Sequence, residues 1–228
     1  VTAASVETLD RRDAEPRVVR ATLRDLAVVN ALFGGRQAAA WGVRRLLAPS
    51  NAGPVTLLDL GAGMGDVARH LAARLGPRWI LRVVALDHLR TAARACRETG
   101  LPALVADFAD LPLRGRPVDV VLLSQALHHV ARARIPGLLR RVTACARIGV
   151  VVADLRRSRL ARTGIWLAGH LLQFHPATRR DGVISVTRGF SAAELRDLCV
   201  AAGIRPAVAR RPGWRVVAWW RTEGSCER

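Results

Sequence analysis

The segment LLDLGAGMGD at residues 57–66 constrains this chain more than any other stretch. Val55–Leu60 is a short apolar run, and Asp66–Leu75 has helical spacing, so a strand meets a helix with only Gly61, Ala62, Gly63, Met64 and Gly65 between them. Glycines at alternate positions let the backbone turn tightly and approach a ligand without interference from a Cβ. A dinucleotide loop needs its third glycine where this chain has Asp66. A carboxylate beside a pyrophosphate at a helix N-terminus is repulsive, so NAD and FAD are disfavoured. No Gly-Lys-Ser/Thr follows the loop, so the phosphate-binding Walker pattern is absent too. The spacing suits a nucleoside ligand that carries no phosphate.

The rest of the chain extends this unit. Strands are expected at Leu81–Leu86, Leu104–Ala106, Val118–Ser124, Ile148–Ala153, Ile204–Ala209 and Arg215–Trp220. Helices are expected at His88–Thr99 and Ile135–Arg147, and after the capping box Ser191-Ala-Ala-Glu194. The alternation predicts an α/β fold: a doubly wound, mostly parallel seven-stranded sheet, with ligands at the carboxyl ends of the strands. Residues 1–54 read as a leader and cap: 1–20 charged and partly disordered, then two helices within 21–47 hinged at Gly34-Gly35. Residues 55–221 form the main domain, 155–188 a helical insertion after strand five, and 222–228 a tail.

Composition removes several classes. Lysine is absent, so all 36 basic residues are arginine, scattered singly and in pairs. The net charge of +18 therefore reads as codon bias, and nucleic acid is not the expected partner. Cys96, Cys145, Cys199 and Cys226 form no CxxC or Cys/His cluster, so neither metal nor disulfide is expected and a cytoplasmic setting is the default. No apolar stretch approaches the roughly 20 residues that span a bilayer.

Two further acids accompany the loop. Asp87 ends the second strand about 22 residues beyond Gly65, where a carboxylate can accept from both hydroxyls of a ribose. Asp107 ends the third strand, where it can accept from an adenine amine. Asp is also a common turn residue, but three acids beside one glycine loop (Asp59, Asp87 and Asp107) make coincidence a poor account.

On these residues the chain resembles the class I S-adenosylmethionine-dependent methyltransferases, over about residues 55–221. LLDLGAGMG matches their first motif. The resemblance implies Asp59 oriented toward the loop and Gly61, Ala62, Gly63 and Gly65 along the methionine and ribose. ALDH at 85–88 is similar to the second motif, with Asp87 and His88 at the ribose, and ADFADLP at 106–112 to the adenine motif, with Asp107 and Phe108. VDVVLLSQALHHV at 118–130 is similar to the fourth, where Ser124 presents its backbone to S-adenosyl-L-methionine. The Gly34-Gly35 bend further suggests Arg36 as the partner of the cofactor carboxylate.

The fourth motif lacks the Asp/Asn-Pro-Pro-aromatic segment of base N-methylating relatives. It carries His128 and His129 instead, and Asp154 ends the neighbouring strand. An imidazole oriented by a carboxylate is a general base for a hydroxyl acceptor. In the 155–188 insertion Leu160, Ile165, Trp166, Leu167, Leu171, Leu172 and Phe174 recur at roughly helical spacing, the pattern of an apolar roof. The expected reaction is methyl transfer to a small hydrophobic hydroxyl acceptor, phenolic, quinone-like or polyketide-type. The roof stripe is also compatible with peripheral membrane contact. The competing readings are an RNA or ribosomal-protein methyltransferase, which would bind RNA with steep salt dependence, and a non-catalytic S-adenosylmethionine-binding protein.

Overall fold

Apolar runs bounded by glycines become strands where both faces can be covered. The computed structural model describes residues 6–108, 111 and 115–222. Two helices come first, α1 (Pro16–Leu32) and α2 (Gly35–Leu47), separated by Gly34 at φ 73° as the hinge requires. The βα units follow: β1 (Gly53–Leu60), α3 (Asp66–Arg74), β2 (Trp79–Asp87), α4 (Arg90–Glu98), β3 (Ala103–Val105) and β4 (Val118–Ser124). Next come α5 (Ile135–Cys145), β5 (Ala146–Leu155), α6 (Arg159–Leu171), α7 (Pro176–Arg188), α8 (Ala192–Ala201), β6 (Ala207–Arg211) and β7 (Arg215–Arg221).

The strands form one sheet in the order β3-β2-β1-β4-β5-β7-β6. The registers from β3 through β5 are parallel, whereas β7 runs antiparallel to both β5 and β6. Alternation along the strands divides the core in two. Leu58, Val121, Leu123, Val150 and Val152 pack under α5 and α8, while Leu57, Val120, Leu122, Val151 and Val217 pack under α2 and α3. The capping box at Ser191 and Glu194 forms with both of its hydrogen bonds.

Three expectations need correction. Residues 6–20 are not a disordered leader: Glu7 and Thr8 are buried, and the Thr8 N–H donates to Asp181 on α7 at 2.7 Å. The insertion is two helices, but its apolar stripe mostly faces outward. Leu160 and Leu171 are each 72% exposed and Trp166 52%, whereas Phe174 is buried and Ile165 faces the cavity. Helix α4 starts at Arg90, because Asp87 spends its carboxylate on the Leu89 N–H instead of a helix turn. Residues 1–5, Ala109, Asp110 and Pro112 of the adenine motif, and 223–228 with Cys226 lie outside the described residues.

Candidate active site

The carboxyl ends of the parallel strands open into a cavity of about 500 Å³. Its floor is the loop between β1 and α3, where Gly61, Gly63 and Gly65 all have positive φ, at 72°, 58° and 72°. A Cβ on Gly61 would lie 2.9 Å from the Ala126 Cβ, so the strand and the segment after β4 can close only with glycine here. Helix α1 forms one wall through Leu23, Leu26, Val29 and Asn30, and α6 and α7 form another through Ala161, Ile165, Asp181 and Ser185.

Three buried acids give the floor its chemistry. Asp59 is 1% exposed, and neither of its carboxylate oxygens has a hydrogen-bond partner. Burial, with Asp66 and Asp87 adding, pushes its carboxyl up to about 8. Asp87 accepts from Leu89 N–H and Gly63 N–H, both at 2.9 Å, yet burial still raises its pKa. Asp66 accepts from Asn30 at 3.2 Å and from Arg36 Nε at 3.1 Å. A ligand that brings hydrogen-bond donors or positive charge to these carboxyl groups lowers the cost of their burial.

Asp107, Phe108, His88, Ala62 and Ser124 line the same cavity, and Arg12 donates to Asp107 at 3.0 Å. Arg36 is the exception. Its guanidinium is spent on Asp66 and the Ala27 carbonyl, and it does not line the cavity. The bend at Gly34 is present, but the nearest carboxylate belongs to the protein, so the cofactor-facing expectation for Arg36 is overturned.

The two histidines occupy different circuits. His128 Nδ1 lies 2.7 Å from Asp154 Oδ1, and its Nε2 is buried without a partner. Asp154 is 0% exposed and also accepts from the N–H groups of Leu127 and Leu155 at 3.0 and 2.6 Å. Burial raises Asp154, but His128 and these bonds outweigh it and hold the carboxyl below its usual range. With Asp154 as the acceptor, Nδ1 of His128 is the donor in this pair, and Nε2 is the ring nitrogen left for a ligand. His129 instead has Nδ1 2.6 Å from Asp10, with Arg188 bridging Asp10 and Glu7 at 2.9 and 3.0 Å. Burial opposes its charge, but Asp10 and Glu7 raise its pKa. Glu7, His128 and His129 bring one ligand-type atom each within 4.8 Å of one another. Arg188 already supplies the positive charge that a cation would bring there.

Residues 57–149 match the family model described as a methyltransferase domain. Over this segment the chain is similar to methyltransferase domains. Uncharacterised methyltransferases of Mycobacterium tuberculosis and Mycobacterium bovis are 37% identical over 99 residues, or 42% of this chain. The match spans 38% of the length of those relatives. Among solved structures, the plantazolicin methyltransferase in complex with S-adenosylhomocysteine is 13% identical, over 90% of this chain and 98% of its own, with TM-score 0.63. The magnesium protoporphyrin IX methyltransferase of Synechocystis is 16% identical, over 83% and 84%, with TM-score 0.56. The glycine loop, Asp87, Asp107, Ser124 and His128 all fall inside the matched segment, and Asp154 lies just beyond it.

Glu7, Asp10, Gln125, Arg188 and Arg215 also line or brace the cavity, and none stands out in the sequence. Arg215 left one trace: it opens the apolar run Arg215–Trp220, on the same strand face as Val217.

Proposed function

We propose that the chain is an S-adenosylmethionine-dependent methyltransferase whose acceptor is a small, largely apolar molecule bearing a hydroxyl group. The observation that carries this reading is the unpartnered, buried Nε2 of His128, which follows β4, the strand beside β1, and has its Nδ1 held by Asp154 at the end of β5. The floor fits the cofactor. Asp59, Asp66 and Asp87 complement a ligand with a sulfonium and an ammonium, and the orphaned oxygens of Asp59 lack the donor that such a ligand brings. When bound, the cofactor supplies an electrophilic methyl group.

The chain's own residues do the rest. His128 Nε2 takes the hydroxyl proton, and Asp154 stabilises the imidazolium that forms. His129 has its Nδ1 taken by Asp10 and its pKa raised by Asp10 and Glu7 against burial, and it contributes position beside the base. Helices α6 and α7 roof the acceptor end and exclude water, with Ile165 and Val186 as apolar contacts. The outward face of α6, with Leu160, Trp166 and Leu167 beside Arg159 and Arg162, supports contact with an anionic membrane surface. No helix among the described residues is long and apolar enough to cross a membrane. Cys96, Cys145 and Cys199 are buried thiols, in keeping with a cytoplasmic setting.

The test combines calorimetry with turnover. Wild type should bind S-adenosylhomocysteine and ignore NAD. His128→Ala and Asp154→Asn should keep that binding while turnover on a phenolic panel falls by about 10²–10⁴. If both variants stay within about threefold of wild type, alignment alone drives the reaction and the base assignment falls.

A further inference from the structure

Arg215 opens β7, is 2% exposed and lines the cavity. Its Nε donates to the Phe33 carbonyl at 2.9 Å and its Nη1 to Gln125 Oε1 at 2.6 Å. Both acceptors are neutral, and Nη2 has no protein partner among the described residues. Arg36, by contrast, sits on the carboxylate of Asp66. Burial alone is costly for a guanidinium, and here it pushes the pKa down to about 10, with Asp154 on the neighbouring strand offsetting only part. A buried cation braced by neutral groups and open on one nitrogen is arranged for an anion that comes from outside.

The surrounding backbone is built to hold this geometry. Gln125 and Trp214, neither of them glycine, both have φ 54°. A Cβ on Gly213 would lie 2.1 Å from the Phe33 carbonyl oxygen, so the turn between β6 and β7 is pressed onto the end of α1. Strain of this kind persists where the structure around it over-determines it, and it clusters at ligand sites. Gln125 also donates to Asn30, and Asn30 donates to Asp66 at 3.2 Å, so side chains alone link Arg215 to the glycine loop.

We propose that Arg215 is a carboxylate receptor, taking through Nη2 the carboxylate of a ligand bound in the cavity. The identity of those ligands rests on the methyltransferase reading above. Two sources carry the chemistry: the amino-acid end of the cofactor and an acid group on the acceptor. Strand order favours the acceptor. The nucleoside-side acids end β1 and β2 or follow β3, the His128–Asp154 pair sits over β4 and β5, and β7 lies three strands beyond β1. At about 4.8 Å per strand that is roughly 14 Å from the loop.

Calorimetry on the full chain and on Arg215→Gln tests this with three probes. These are S-adenosylhomocysteine, 5′-methylthioadenosine (which lacks the amino-acid end) and benzoate. If the cofactor supplies the carboxylate, the variant loses about 10–100-fold in S-adenosylhomocysteine affinity and binds methylthioadenosine as wild type does. If the acceptor supplies it, both nucleosides bind both proteins equally. Wild type saturated with S-adenosylhomocysteine then binds benzoate at least about tenfold more tightly than the variant. Equal binding of all three probes by both proteins overturns the proposal. Equal weakening of both nucleosides also overturns it, because it marks Arg215 as a structural brace. If wild type binds neither nucleoside, the methyltransferase reading fails, and benzoate still decides Arg215: preference for wild type upholds the receptor, and no difference removes it. Should Arg215→Gln not fold, Arg215→Lys keeps the charge, loses the planar fork and is read the same way with smaller losses.

Discussion

Asp10 Oδ1 lies 2.6 Å from His129 Nδ1, tying the turn before α1 to the segment after β4. Burial opposes the imidazolium, but Asp10 and Glu7 outweigh it and raise the pKa above the ordinary 6.5. The folded state therefore prefers the proton. The stabilisation is fully present below the unfolded value near 6.5 and is lost as pH rises through the higher folded value. Melting temperature should fall across that window in wild type and fall less in Asp10→Asn. NMR titration of the His129 ring should show a lower pKa in the variant. Parallel melting profiles would remove the coupling.

Asp59 works in the opposite direction. Its carboxyl, raised to about 8, stays protonated in the free folded protein at neutral pH, whereas the unfolded chain ionises near 3.8. Stability of the ligand-free protein should thus decline as pH rises from about 4 and level off above about 8. Asp59→Asn should melt higher than wild type at pH 7, by the equivalent of about 1–3 kcal/mol, and bind S-adenosylhomocysteine more weakly. A variant that melts lower and binds equally well would contradict both halves.

Arg36→Ala separates bracing from binding. It leaves Asp66, 8% exposed at the side chain, without its ion partner, which should cost about 1–3 kcal/mol in a urea titration. Affinity for S-adenosylhomocysteine should change little, since Arg36 does not line the cavity. A tenfold loss of affinity without loss of stability would restore Arg36 as a ligand contact.

Trp166 reports on the outward face of α6. Added vesicles rich in phosphatidylserine should shift its fluorescence to the blue and sediment the protein, with the effect reduced by salt and by Trp166→Asp. Vesicles of phosphatidylcholine alone are the control. Identical behaviour with both lipids would argue against an anionic surface as the partner of this face.

What the residues disclosed follows from how locally each feature is determined. Val118–Ser124 is a strand at the expected bounds because a continuous apolar run buried on both faces has few other solutions. Gly61, Asp87 and His128 were legible because short spacing along βα units fixes where strands end. Arg36 misled for the complementary reason. Its bend is local, but the acid that captures it lies 30 residues away and reaches it only through the packing of α2 on α3. Glu7 and Asp10 act on partners up to 181 and 178 residues distant, and nothing in their own neighbourhood marks them. On α6, periodicity located the apolar stripe but could not say which side had a partner, so Trp166 and Leu171 were turned inward in expectation and outward in space.

The position of β7 has a consequence for how the molecule assembles. It follows β6 in sequence yet lies between β5 and β6, pairing antiparallel with each. Strand β6 therefore has no edge to join until β7 has docked, and the glycine loop, β4 and the histidines can be in place while that side of the sheet is still open. Contacts of such long sequence separation form slowly, because the chain entropy is lost before the contacts repay it. The exposed edge of β5 is meanwhile a template for strands of other chains. The pocket corner at Arg215 therefore waits on the docking of β7 against β5.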